Sequence, residues 1–126
     1  MDAPALDRIT NLLSQFLDVH SRRAQIVASN LANADTPGFQ AQELDFSDYL
    51  KQAREEALTP GSMSGEREYT PRVVAQVTRV VGLDGNNVDP GLEMAALSNA
   101  GMNYLTGTTM LQSRIRTLRT AIREGR

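Results

Sequence analysis

The sequence predicts a mainly α fold in which two long terminal helices pair as a coiled coil around a small, irregular and β-rich insert. Three observations carry this. Apolar residues recur at three- and four-residue steps from Leu6 to Leu31, and again from Met94 to Ile122. Between these stretches proline and glycine interrupt the pattern, and a β-branched run appears at Val73 to Val81. The periods of helix and strand are distinct enough to divide the chain into residues 1–34, 35–88 and 89–126.

In the first stretch Leu6, Ile9, Leu13, Phe16, Leu17, Ala24, Val27 and Leu31 share one helical stripe, widened by Leu12, Val19 and Ile26. Asp7, Asn11, Ser14, Asp18, Ser21, Arg22 and Gln25 fall opposite, so the helix is amphipathic and about 40 Å long at 1.5 Å per residue. It ends at S-N-L-A-N-A-D-T-P-G-F, Ser29 to Phe39. Pro37 and Gly38 suit the central positions of a type II turn, because proline presets φ and glycine accepts the positive φ that follows. The residue before a proline is driven out of the helical region, so Thr36 is expected to be extended. The helix should therefore stop by about Asn33, with that asparagine as a left-handed C-terminal cap.

The insert is expected to hold a short helix over Phe46 to Leu58, a loop over Thr59 to Thr70, and a strand or hairpin arm over Val73 to Val81. Asp84-Gly85-Asn86-Asn87 then turns the chain. Asp89 can cap the second helix and Pro90 suits its first position. From there Met94, Leu97, Gly101, Tyr104, Thr108, Leu111, Ile115, Leu118 and Ile122 keep a heptad seam. Gly101, Gly107 and the threonines of 106–109 are weak helix formers, each glycine costing about 1 kcal/mol relative to alanine. The helix alone should fray at its middle, and its small residues mark a close approach of two helices in preference to a ligand site.

Composition limits what such a chain can do. Leu, Ile, Val and Phe supply 29 of 126 residues, with six aromatics and no tryptophan, so a monomer has a thin core. A net charge of −2 gives no overall attraction to nucleic acid or an anionic membrane. There is no cysteine, hence no disulfide and no thiolate site. No stretch reaches the length of a membrane span, and the N-terminus lacks the features of a secretory signal.

Individual residues offer little chemistry. His20, the only histidine, lies on the apolar stripe and reads as packed or interfacial; a lone histidine makes neither a zinc site nor a triad. Lys51, the only lysine, has no phosphate loop before it. Glu55-Glu56 and Glu66/Glu68 read as surface carboxylates. Arg116, Arg119, Arg123 and Arg126 share a helix face beside Arg114. Phosphate contacts are one reading of that face, and helix-end stabilisation with a protein interface is the better one, since the rest of the chain is acidic. The residues alone leave open a structural subunit or a cytoplasmic helical adaptor or small regulator that dimerises through its ends; an enzyme is a distant third.

The stretch A-S-N-L-A-N-A-D-T-P-G-F at Ala28 to Phe39 resembles the signature of bacterial flagellar axial proteins, and the chain is identified as a member of the basal-body rod protein family. Q-A-Q-E-L-D-F at Gln40 to Phe46, and D-G-N-N-V-D at Asp84 to Asp89 followed by Glu93 and Tyr104, are similar to the rod's proximal members. The resemblance assigns Ser29, Asn30, Leu31, Ala32, Asn33, Asp35, Thr36, Pro37, Gly38 and Phe39 to the signature and turn. With the heptad pattern, it expects Leu6, Ile9, Leu13, Phe16, Val27, Leu97, Tyr104, Leu111, Ile115, Leu118 and Ile122 at the coiled-coil or subunit interface. It implies a structural, non-enzymatic subunit without cofactor or metal, exported without a cleaved signal and stacked into a helical tube that transmits torque and continues the export channel. The implied setting is the periplasmic rod of the basal body. Implied partners are further copies of the chain, other rod proteins, and export-gate and membrane-ring adaptor components, with no nucleic acid and no direct lipid binding.

Overall fold

The computed structural model describes residues 3–47, 51, 71–77 and 79–125, with side chains from residue 9 onward. Helix α1 spans Ala3–Ala32, strands β1 and β2 span Gln42–Asp45 and Arg72–Ala75, and helix α2 spans Pro90–Glu124. At 1.5 Å per residue the helices are about 45 and 52 Å long. They pack against each other and run antiparallel, since Asn30 meets Glu93 while Phe16 and Leu17 meet Gly107.

Each helix begins or ends for a local reason. Asp89 is extended and its Oδ1 accepts from Gly91 N–H at 2.9 Å and Leu92 N–H at 3.1 Å, with Pro90 in the first turn. α2 then runs unbroken through Gly101 and Gly107, and Thr106, Thr108 and Thr109 donate their hydroxyls to carbonyls of the preceding turn. α1 stops differently from the sequence expectation. No residue other than glycine has a positive φ among those described, so Asn33 is not a left-handed cap. Its side chain instead donates back to Ser29 O at 2.8 Å, and its own carbonyl accepts from Thr36 N–H at 3.0 Å. A further turn of right-handed backbone thus replaces the left-handed stop.

The insert contributes a two-stranded antiparallel sheet with Gln42 opposite Ala75 and Asp45 opposite Arg72. The strand expected over Val73 to Val81 covers only Arg72–Ala75, because the ladder is stopped by a side chain. Asn87 Oδ1 accepts from Ala41 N–H at 2.6 Å while its Nδ2 donates to Gln76 O at 2.7 Å, so an amide fills the place of the next backbone bond. The short helix and loop expected over 46–70 fall outside the described residues, apart from Phe46, Ser47 and Lys51.

The row of α2 that faces α1 differs from the expected seam by one residue at alternate positions. Glu93, Ala100 and Gly107 are buried, with Leu97, Leu111, Arg114 and Leu118 half-buried beside them. Met94, Gly101, Tyr104, Ile115 and Ile122, expected in the seam, are exposed. Two contacts account for the displacement. A Cβ on Gly107 would lie 2.8 Å from Leu17 Cδ2 and 2.9 Å from Phe16 Cδ1, so the helices approach most closely through a residue without a side chain. At the other end Glu93 must face inward to meet its polar partners. Gly101, by contrast, has nothing within 4 Å of a Cβ position.

Candidate functional site

The signature and the D-G-N-N loop form one corner of the molecule. Phe39 N–H donates to Thr36 O at 3.2 Å and Gly38 has φ 73°, the bond and the glycine φ of a type II turn centred on Pro37-Gly38. Gly38 N–H donates to Asp84 O at 2.9 Å, and a Cβ on Gly85, itself at φ 81°, would lie 3.4 Å from Gly38 Cα. The two left-handed glycines are thus packed on each other. Gln40 Nε2 adds a bond to Gly85 O at 2.9 Å.

Asn86 fastens this corner. Its buried Nδ2 donates to the carbonyls of Asn33, Ala34 and Thr36 at 2.9, 2.9 and 2.8 Å, and its Oδ1 accepts from Val88 N–H at 2.7 Å. These carbonyls lie just beyond the helix, and those of Asn33 and Thr36 also accept from Thr36 N–H and Phe39 N–H, while the helical carbonyls of Ser29, Asn30 and Leu31 are met locally by Asn33 and Ala34 N–H. The side chain that joins them lies some fifty residues away in sequence, so the turn after α1 is tied to the loop before α2.

Asn30 is the one signature side chain that is fully buried. It treats Gln42 as a strand would, Nδ2 donating to Gln42 O at 2.8 Å and Oδ1 accepting from Gln42 N–H at 2.9 Å. Nδ2 also donates to Glu93 Oε2 at 3.0 Å, and the other Glu93 oxygen is ion-paired with Arg79. The carboxylate is 1% exposed, so a guanidinium and an amide replace its hydration. Helix α1, β1, the segment after β2 and α2 therefore meet at one buried cluster.

The other signature residues serve through their backbone or remain available. Ser29, Ala32, Asp35, Thr36, Pro37 and Gly38 are exposed, and Leu31, Asn33 and Phe39 are half-buried. Of the expected interface residues, Val27 is buried, Leu13, Phe16, Leu97, Leu111 and Leu118 are half-buried, and Ile9, Tyr104, Ile115 and Ile122 are exposed. The side chain of Leu6 lies outside the described ones. Arg116, Arg119 and Arg123 are exposed, and Arg119 and Arg123 border a shallow apolar groove with Ile115, Leu118 and Ile122. Arg114 turns toward the helix pair, its Nε buried without a hydrogen-bond partner. No group of histidine, cysteine or carboxylate side chains suited to a metal is found among the described residues.

Sequence reasoning read Asn86 and Asn87 only as turn residues and Glu93 only as a mark of the family, and assigned no role to Arg79. The available signal was the adjacent asparagine pair, since asparagine amides compete for backbone groups at element ends. What it could not show was which carbonyls they reach.

A family model described as "Flagella basal body rod protein" matches residues 20–40, the C-terminal part of α1 and the turn after it. Over 133 aligned positions the chain is 32% identical to the flagellar basal body rod protein FlgB of Salmonella typhimurium, covering 95% of this chain and 96% of that protein. The FlgB protein of Yersinia enterocolitica is 30% identical with 95% and 97% covered, and that of Proteus mirabilis is 28% identical with 95% and 99% covered. With the signature, the fold and these relatives spanning nearly its full length, the chain belongs to the family of the flagellar basal body rod protein FlgB.

Proposed function

We propose that this chain is a structural subunit of the flagellar basal-body rod, exported without a cleaved signal and assembled with copies of itself and with other rod proteins into a helical tube. The observation that carries this reading is the second apolar face of α2. Met94, Tyr104, Leu105, Ile115 and Ile122 stay exposed although α1 already occupies the adjoining face. A helix apolar on two faces has one more partner than a single chain provides. The thin core fits the same reading, because burial between subunits adds stability that a monomer lacks. No helix among the described residues is long and apolar enough to cross a membrane, which agrees with a subunit held by protein contacts. Contacts with the export gate and the membrane-ring adaptor belong to this proposal through the family resemblance.

The test uses Ile115→Asp and Ile122→Asp as the only copy of the subunit in a motile strain. Both residues are exposed, so the secreted chain should fold as the parent does while swarming is lost. Normal swarming with either variant would remove the face from the rod interface.

A further inference from the structure

His20 lies on the inward face of α1 and is only 9% exposed, with its ring edge-on to Phe16 at a centroid distance of 4.3 Å. Its Nδ1 is buried and has no hydrogen-bond partner. The antiparallel register set by Asn30 with Glu93 and Leu17 with Gly107 brings Ala100, Asn103 and Gly107 opposite this part of α1, and none carries a charge. From β1 the nearby carboxylate is Glu43, already engaged by Arg23 at 3.7 Å. On α1 itself Arg23 follows one turn later, while Asp18 and Arg22 are exposed. A neutral imidazole suits such a place. An imidazolium carries a hydrogen on both ring nitrogens, and at Nδ1 that hydrogen would find no acceptor and no counter-charge.

We propose that His20 is a proton-operated release in the helix pair: protonation of its ring expels it from beside Phe16 and loosens α1 from α2 and from the sheet. The device belongs to the single chain and stands apart from the assembly reading. Burial first, and then the charge of Arg23, hold the His20 pKa below the ordinary histidine value. The sign follows. A group whose native pKa is depressed by a penalty on its cation binds its proton more readily when unfolded. Stability is then fully present above the unfolded value, about 6.5, and is lost as pH falls from there toward the native value. Within that window the unfolding constant should rise by up to about tenfold per pH unit, before most carboxylates titrate.

His20 is the only histidine in the full chain, so one imidazole signal reports it. The experiment follows that ring by NMR from pH 8 to 5 and, in parallel, measures urea unfolding of the parent, His20→Gln and His20→Phe chains. The expected result is a native midpoint below 6.5, with a parent unfolding constant that rises as pH falls from 7.5 to 5.5 and variants whose constants stay flat. A native midpoint at or above 6.5, or an equal rise in either variant, would overturn the proposal. Should neither variant fold, the midpoint of the parent ring decides by itself.

Discussion

Asn30 and Glu93 stand 63 positions apart in sequence and meet in the interior through a 3.0 Å bond from Nδ2 to Oε2. Through this pair the signature helix holds α2, while the other oxygen of Glu93 holds the insert at Arg79. Glu93→Ala should destabilise the chain by about 3 kcal/mol or more, because it strands a guanidinium and an amide hydrogen with no partner. Replacing Arg79 and Glu93 together by methionine should recover most of that loss, since no lone charge remains buried. Urea melts of the parent, both single variants and the double variant decide it; a double variant no better than Glu93→Ala would mean that the charges do not act as a pair.

Asn86 makes a second, separable prediction. Asn86→Ala removes a donor from the carbonyls of Asn33, Ala34 and Thr36, two of which keep a backbone N–H, and should cost about 1–3 kcal/mol. Asn86→Asp should be worse than alanine at neutral pH, because a carboxylate would face three carbonyl oxygens. Thermal melts of the two variants give the order, and an aspartate variant as stable as the parent would contradict the assigned contacts.

At the turn, Gly38→Val should cost about 1–2 kcal/mol through its positive φ alone, since nothing lies within 4 Å of a Cβ there. Gly38→Asn should be milder, as asparagine enters the left-handed region more readily. Asn33 follows another rule. Asn33→Gly and Asn33→Val both lose the bond to Ser29 O, so glycine holds no special advantage at this position. Chemical denaturation of all four variants checks the contrast.

The two glycines of α2 should respond in opposite directions. Gly107→Ala pushes a methyl into Phe16 and Leu17 and should destabilise by about 1–3 kcal/mol. Gly101→Ala meets open space and should stabilise the free chain by up to about 1 kcal/mol through helix propensity. If Gly101 lies where a second subunit approaches, the same alanine should impair swarming although it stabilises the monomer. Melting temperature and swarming, measured on both variants, separate the two effects.

Along the seam, Leu111→Asp and Leu118→Asp place a carboxylate in a half-buried contact and should lower stability and abolish swarming together. Arg123→Ala changes an exposed charge in the last turn of α2, worth about 0.3–1 kcal/mol, and should leave swarming near that of the parent. An arginine change more damaging than the leucine changes would make the basic face the working surface.

What the sequence determined by itself was local or periodic. Helical spacing in 6–31 and 94–122, the Asp89-Pro90 start of α2 and the Pro37-Gly38 turn are each set by residues within one turn of each other, so they could be read without a partner. The order of residues in the signature carried the family for the same reason. What the tertiary structure decided were the choices that depend on distant groups. β1, with the polar sequence Q-E-L-D, is a strand because Asn30 pairs with its edge and β2 with its other side. The segment after α1 is held in place because Asn86, some fifty residues on, donates to the carbonyls of Asn33, Ala34 and Thr36. The α2 seam runs through Glu93, Ala100 and Gly107 because packing selected the face that lets two helices come close and a buried carboxylate find its partners. Apolar residues lie on both candidate faces, so periodicity shows that the helix is amphipathic, and only the contact with α1 chooses which face it buries.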